Sequence, residues 1–249
     1  MNDSIRKYFY EGDTKLTVVR VDEVCAKIAE MQNITRRSDY MTIRSIAAFT
    51  AALSSQIKEH DSYITIRIKN TGKNTACCVT AFGDGRVCGF TEKTPPEEGA
   101  FADEKCFILE AVRKSDLGGE YTSVVIGNSV QGAINAYITE SMQRSAKWRS
   151  VHDGTATVGI FAEDIPGTNK LRKAWNCVGK YFSTINEDIF ENSKLSKLDE
   201  QSLVFGCKCT KRSVKRALES LPAEERRSLG STVEISCKFC GKKYVIENE

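Results

Sequence analysis

Two spacings of apolar residues alternate along this chain. In residues 63–70, YITIRIKN, Ile64, Ile66 and Ile68 alternate with Tyr63, Thr65 and Arg67, the period of a half-buried strand. KLTVVRV (15–21), YTSVVIG (121–127) and TATVGIFAED (155–164) also read as strands. TACCVTAFGDGRVCGFT (75–91) reads as a hairpin around Asp84-Gly85, a favoured hairpin turn pair. Helical spacing takes over at 41–58, where Ile43, Ile46, Ala47, Phe49, Leu53 and Ile57 share one face. VQGAINAYITESMQ (130–143) is a second predicted helix. Residues 1–166 are thus expected to form a mixed α/β domain.

DIPGTN (164–169) is the clearest break, with Pro166 and Gly167 interrupting the pattern. Beyond it, Leu171, Trp175, Val178, Phe182, Ile185 and Ile189 recur at helical steps and predict one continuous apolar stripe. Thr168 or Asn169 can cap its start. The polar run ENSKLSKLDEQS (191–202) reads as a connector with room for a short helix. The division is therefore an N-terminal domain (1–166), an amphipathic helical linker (167–203) and a small C-terminal module (204–249). The fold class is α+β. In the module Thr210 can cap a helix, KRSVKRALESL, with Val214, Ala217, Leu218 and Leu221 inward. Pro222 starts a second short helix, Gly230 can close it, and TVEIS and KYVIE form a small hairpin.

Charge changes this picture little. The net charge is +3, with 20 basic and 22 acidic residues in 1–166 and 10 basic and 6 acidic in 207–249. That excess is too weak to argue nucleic-acid binding. No apolar run is long enough for a membrane span, and the start, MNDSIRKYFYEG, lacks the apolar stretch of a signal peptide. With ten cysteines and no secretion signal, a reducing, cytoplasmic location is expected.

The cysteines carry the chemistry. Cys207 and Cys209 form a Cys-X-Cys pair, and Cys237 and Cys240 a Cys-X-X-Cys pair, 27 residues apart. Four thiolates suit one tetrahedral Zn²⁺ with no open position, a structural site. In the second pair two intervening residues let the chain turn around the ion, and Gly241 allows close approach. The first pair is less ordinary. Residues i and i+2 of a strand lie about 6.6 Å apart, whereas sulfurs on one zinc ion lie about 3.8 Å apart. The chain around Lys208 must bend, and such a pair can hold zinc or close a local disulfide. The plainer reading is a zinc ribbon that only stabilises its own fold. Cys25, Cys77, Cys78, Cys88, Cys106 and Cys177 have no ligand spacing and read as small core or surface residues.

Catalytic chemistry is sparse. His60 and His152 stand far apart without a motif, no Gly-rich phosphate loop occurs, and acidic residues are scattered. No catalytic residue is nominated.

FGCKCTKRSVKRALESL and EISCKFCGKKYVI resemble, in residue type, spacing and order, the two cysteine segments of the heat shock protein 33 family of redox-regulated, ATP-independent holdase chaperones. SYITIRIKNTG followed by DGRVCGF is similar to the family's central strands and turn. GEYTSVVIGNSVQGAINAYITESMQ is similar to its strand and helix. The family's Ser-Glu-Gln signature reads Ser141-Met142-Gln143 here, and its Arg-Gly-Tyr reads Cys88-Gly89-Phe90. The segment from 167 to the first cysteine is short for the family.

The resemblance implies that Cys207, Cys209, Cys237 and Cys240 hold one zinc ion in the reduced state, keeping the module folded and the linker docked. It implies oxidation to disulfides Cys207–Cys209 and Cys237–Cys240, zinc release, linker unfolding, exposure of apolar surface, dimerisation, and capture of unfolding clients. The stripe Leu171–Ile189 is the candidate client or linker surface; its plainer reading is a permanent core helix. The competing function is a zinc-ribbon protein that binds nucleic acid or a protein partner through the basic face Lys211, Arg212, Lys215 and Arg216. A basic helix is more often only a solvated face.

Overall fold

The structure, a computed structural model, describes residues 2–57, 62–95, 105–114, 119–152, 156–179 and 194–248. It divides into two compact units, Met1–Phe205 and Gly206–Glu249. The first unit begins with strands β1 (Ser4–Tyr10) and β2 (Thr14–Arg20) and helices α1 (Asp22–Met31) and α2 (Arg37–Ser54). Strands β3 (Tyr63–Asn70), β4 (Thr75–Phe82), β5 (Arg86–Lys93), β6 (Phe107–Lys114) and β7 (Glu120–Gly127) follow. Then come α3 (Val130–Ala136), β8 (Ala146–His152), β9 (Thr157–Asp164), α4 (Leu171–Gly179), β10 (Leu195–Ser202) and β11 (Val204–Phe205).

The strands form a five-stranded sheet, β10-β1-β2-β9-β8, and a six-stranded sheet, β11-β5-β4-β3-β6-β7. Every pairing is antiparallel except β11 with β5. Helix α2 packs against strands of both sheets. That position explains its sequence. From Ile46 to Ser54 every residue is buried, a helix covered on all sides, with the Thr50 and Ser54 hydroxyls donating to carbonyls of their own helix. Ala47, Ala48, Ala51 and Ala52 let two sheets approach it closely, while Phe49 fills the centre against Tyr137, Trp148 and Phe161.

The expected hairpin is present, with Cys78 opposite Phe90 and Thr80 opposite Cys88. Its turn residue Gly85 has φ +87°, and a Cβ there would lie 2.4 Å from the Ser202 carbonyl. Only glycine fits both the conformation and that approach. On β9, a Cβ at Gly159 would lie 2.2 Å from the Trp148 ring, so the absent side chain is what admits the indole.

Three expectations are corrected. The polar run 191–202 reads as a connector with room for a short helix; Leu195–Ser202 is instead the edge strand β10. Its side chains are mostly exposed, so it has no apolar alternation of its own. Main-chain pairing with β1 holds it, across a bulge between Lys7 and Tyr8. Its charges, including the Lys7–Asp199 pair at 3.4 Å, suit an edge exposed to water. Second, the helix expected over 130–143 is α-helical only to Ala136 and widens into a π-turn at Tyr137–Ser141. Third, Thr168 does not cap α4. Its hydroxyl donates to the Ile165 and Asp13 carbonyls, and the Lys170 carbonyl accepts from Lys173 and Ala174.

The segment 167–203 is therefore not one helix. Leu171, Ala174 and Val178 of α4 are buried with Leu16, Val18 and Ile160 of the five-stranded sheet, on the face turned away from α2. Trp175 is half-buried beside them, with the Lys147 ammonium 5.9 Å from its ring centroid. Phe182, Ile185 and Ile189 lie outside the described residues.

The second unit has helices α5 (Lys211–Glu219) and α6 (Ala223–Ser228) and the hairpin β12 (Thr232–Ser236) and β13 (Lys243–Glu247).

Candidate metal centre

Helix α5 starts directly after Cys209. Thr210 and Ser213 cap it reciprocally: the Ser213 amide donates to the Thr210 hydroxyl at 3.1 Å, and the Thr210 amide to the Ser213 hydroxyl at 2.9 Å. This pins the end of the Cys-X-Cys segment. Val214 and Leu218, one turn apart on α5, pack on Tyr244 and Ile246, alternate residues of β13. Those four are the buried core of the unit.

The second pair sits in the turn of the β12–β13 hairpin. The Cys237 amide donates to the Lys242 carbonyl at 2.9 Å, and the Gly241 amide to the Cys237 carbonyl at 2.8 Å. Gly241 has φ +69°, a backbone conformation that favours the glycine after Cys240.

These elements bring all four sulfurs within 4.8 Å of one another. Cys207 Sγ lies 3.7 Å from Cys237 Sγ, and Cys209 Sγ 3.4 Å from Cys240 Sγ. A tetrahedral zinc site with Zn–S of about 2.3 Å has edges of about 3.8 Å. Donor set and spacing both fit: four soft sulfurs, no open position, one ion. The cysteines are all partly accessible.

Tyr244 was not singled out from the sequence. Its hydroxyl lies 3.0 Å from the Cys209 carbonyl and 3.2 Å from Cys209 Sγ, positioned to donate to either. The signal was the alternation of KYVIE, which turns Tyr244 and Ile246 to one face. Taken as free thiols, Cys237 and Cys240 are pushed up by burial, Cys240 to about 12. Burial also acts on Cys209, but hydrogen bonds from Tyr244 and the neighbouring thiols outweigh it and leave Cys209 below its ordinary value.

The other cysteines do not join this group. Cys25, Cys77, Cys78, Cys88 and Cys106 are buried in the first unit and Cys177 is half-buried. Burial pushes the Cys77 thiol up to about 12, which keeps it protonated and unreactive. Among the described residues no other cluster of metal-ligating side chains occurs. His152 is half-buried, with Ser45 Oγ 3.1 Å from Nε2 and Thr157 Oγ1 3.0 Å from Nδ1; His60 lies outside the described residues. Lys211, Arg212, Lys215 and Arg216 are exposed, with Lys215 3.8 Å from Glu219 on the next turn. No helix among the described residues is long and apolar enough to cross a membrane.

Comparison with solved structures shows a shared fold. The chain is similar to the crystal structure of a 33 kDa chaperonin (heat shock protein 33 homolog) from Thermotoga maritima, with a TM-score of 0.74, 16% identity, and coverage of 99% of this chain and 95% of that one. The family model for Hsp33 protein matches residues 2–247, and the chain belongs to the Hsp33 family. Among curated relatives, the 33 kDa chaperonin of Clostridium novyi is 21% identical, over 96% of this chain and 92% of its own length. That of Chromobacterium violaceum is 21% identical over 100% of this chain and 92% of its own length. These relatives are named as chaperonins rather than enzymes, and a chaperone of this family binds unfolded client proteins.

Proposed function

We propose that this protein is a redox-regulated, ATP-independent holdase whose resting state is held by one zinc ion on Cys207, Cys209, Cys237 and Cys240. The observation that carries the reading is a mismatch of scale. Four sulfurs are gathered by a unit whose own buried core is four side chains. So small a core supplies little stability alone, whereas a structural zinc site contributes roughly 10–16 kcal/mol. When bound, the metal supplies cross-linking and keeps the thiols deprotonated.

Residues 1–166 then act in client binding and dimerisation, 167–203 as the releasable linker with α4 at its head, and 204–249 as the switch. Peroxide oxidises two thiols to a disulfide and is reduced to two waters. A disulfide bond is about 2.05 Å long, so any pairing draws sulfurs well inside the 3.4–3.7 Å contacts of the folded module and breaks up the tetrahedron. With two disulfides no ligand set remains. Release of the linker, with α4 at its head, after the module unfolds is supported by the family resemblance; the buried face of α4 then joins the apolar surface offered to clients. The family resemblance supports the pairs Cys207–Cys209 and Cys237–Cys240 and a cytoplasmic, dimeric active form that binds neither membrane nor specific nucleic acid.

The test treats the reduced zinc form with peroxide at raised temperature, counting zinc and free thiols and following suppression of a client's thermal aggregation by light scattering. Loss of one zinc together with four thiols and a gain of holdase activity is expected. Equal activity in the reduced and oxidised forms removes the switch.

A further inference from the structure

The first unit contains a cavity of 300 Å³ under one end of the six-stranded sheet, apart from the cysteines. Its origin is a row of small residues. On the inner face of β6 and β7, Ala111 stands opposite Ser123, while the next row inward is Leu109 opposite Val125 and the next row outward Arg113 opposite Tyr121. The small pair leaves a hollow that the larger neighbours frame.

The π-turn supplies the facing wall. The Met142 amide donates to the Tyr137 carbonyl at 2.9 Å, and the Ser141 hydroxyl donates to Ser123 Oγ at 2.7 Å, tying the turn to the sheet. A π-turn of this kind often marks a functional site. Leu53, Ile57, Ile64 and Met142 make the floor apolar.

Besides the exposed Tyr121, two polar side chains that line this cavity have no protein partner among the described residues. Tyr137 as a residue is only 7% exposed, and its hydroxyl, which is not among the fully buried unpaired atoms, makes no hydrogen bond with any described residue. Arg113 lines the same cavity and forms no ion pair or hydrogen bond among the described residues, and its positive charge bears on the Tyr137 hydroxyl. Arg144, also on the wall, is already engaged by Glu163 at 3.0 Å and Gln56 at 2.7 Å. A solvent-exposed guanidinium without a protein partner and a tyrosine hydroxyl without one thus border an apolar floor. Cavities of this size and make-up hold small ligands, with a few polar groups fixing orientation, and a guanidinium matches a carboxylate in two-point geometry.

We propose that this cavity binds a carboxylate carried on a small apolar body, the chemistry shared by the C-terminal residue of a polypeptide and by a free small aliphatic acid. The carboxylate pairs with Arg113 and accepts from the Tyr137 hydroxyl; the apolar body lies on Leu53, Ile57 and Ile64. The site needs neither the metal nor its oxidation.

The test is calorimetric titration of the reduced, zinc-loaded full chain with three probes. These are N-acetyl-leucine, the pentapeptide Gly-Gly-Ser-Gly-Leu as free acid, and the same peptide amidated. A free acid is expected to bind one site per chain, and the amide at least tenfold more weakly. Arg113→Gln, at an exposed position, is expected to weaken the acid tenfold or more while leaving the circular dichroism spectrum unchanged. Ser123→Leu, which fills the hollow, should abolish binding of both acids. Binding of both acids admits chain termini as occupants; binding of N-acetyl-leucine alone restricts the site to free acids. Equal affinity for acid and amide, no binding of either acid, or unchanged affinity in Arg113→Gln overturns the proposal.

Discussion

Helix α4 offers the sharpest test of the proposed switch and of its coupling to the rest of the chain. Val178 is fully buried and Leu171 is 8% exposed, both against the outer face of the five-stranded sheet. Truncating Val178 to Ala removes two carbons and Leu171 to Ala three. At about 0.8 kcal/mol per buried CH₂, the pair loses roughly 4 kcal/mol before any cavity term. Relaxation of the sheet surface and burial already present in the unfolded chain reduce this to about 3 kcal/mol. Each 1.4 kcal/mol is about tenfold in population, so the undocked state of α4 rises on the order of 10²-fold. The other buried positions of the sheet are untouched, so the first unit stays folded. Hydrogen exchange of the α4 amides reports the undocking, and light scattering of a heated client reports activity. The double variant should lose α4 protection by about that factor and hold clients in the reduced state, with zinc still bound. If α4 loses its protection while the reduced protein stays inactive, release of α4 is not what activates the chaperone.

Three further outcomes follow from the geometry. Replacing Cys240 by Ser leaves three thiolates. The variant is expected to retain no stoichiometric zinc after dialysis and to show protease-sensitive sites within 206–249 while the first unit stays resistant; a folded, zinc-loaded variant would contradict the four-sulfur site. Tyr244→Phe removes the hydroxyl beside Cys209. Outer-shell partners of metal ligands typically contribute 10–100-fold to affinity, so chelator competition should show a loss of roughly that size, and an unchanged affinity would make Tyr244 a bystander. His152 is held below its ordinary value by burial and by the Arg44 guanidinium, against the opposing Asp22 carboxylate, with Ser45 and Thr157 on its ring nitrogens. Its neutral form is the folded one, so the unfolded chain binds more protons near the ordinary histidine pKa of about 6.5. Its contribution is therefore present above that pKa and lost as pH falls through the folded value. Tm should drop between about pH 7 and 5, and His152→Asn should flatten that drop; parallel curves would exclude His152 as the cause.

Much of the site was legible from residues alone because its determinants are local. Cys-X-Cys, Cys-X-X-Cys-Gly, the Thr210 cap and the two short strands each act within a few residues, and the structure brings all four sulfurs together. Strand β3 was equally legible, since a clean alternation of isoleucines answers to one buried face. Elements held by distant partners were not. LSKLDEQS has no strand pattern and becomes β10 only because β1 offers an edge. The helix around Phe49 looked one-sided, yet it is buried all round because a second sheet covers its other face.

What the sequence determined by itself, then, was the donor set, its spacing and the caps and turns that present it, because neighbours in the chain set those backbone angles. Tertiary structure alone decided that Tyr244 reaches Cys209, that α4 lies on the sheet face away from α2, and that Ala111 and Ser123 leave a hollow beneath Arg113 and Tyr137. Those depend on which surfaces meet, and packing between residues far apart in the chain leaves no periodic trace in either segment.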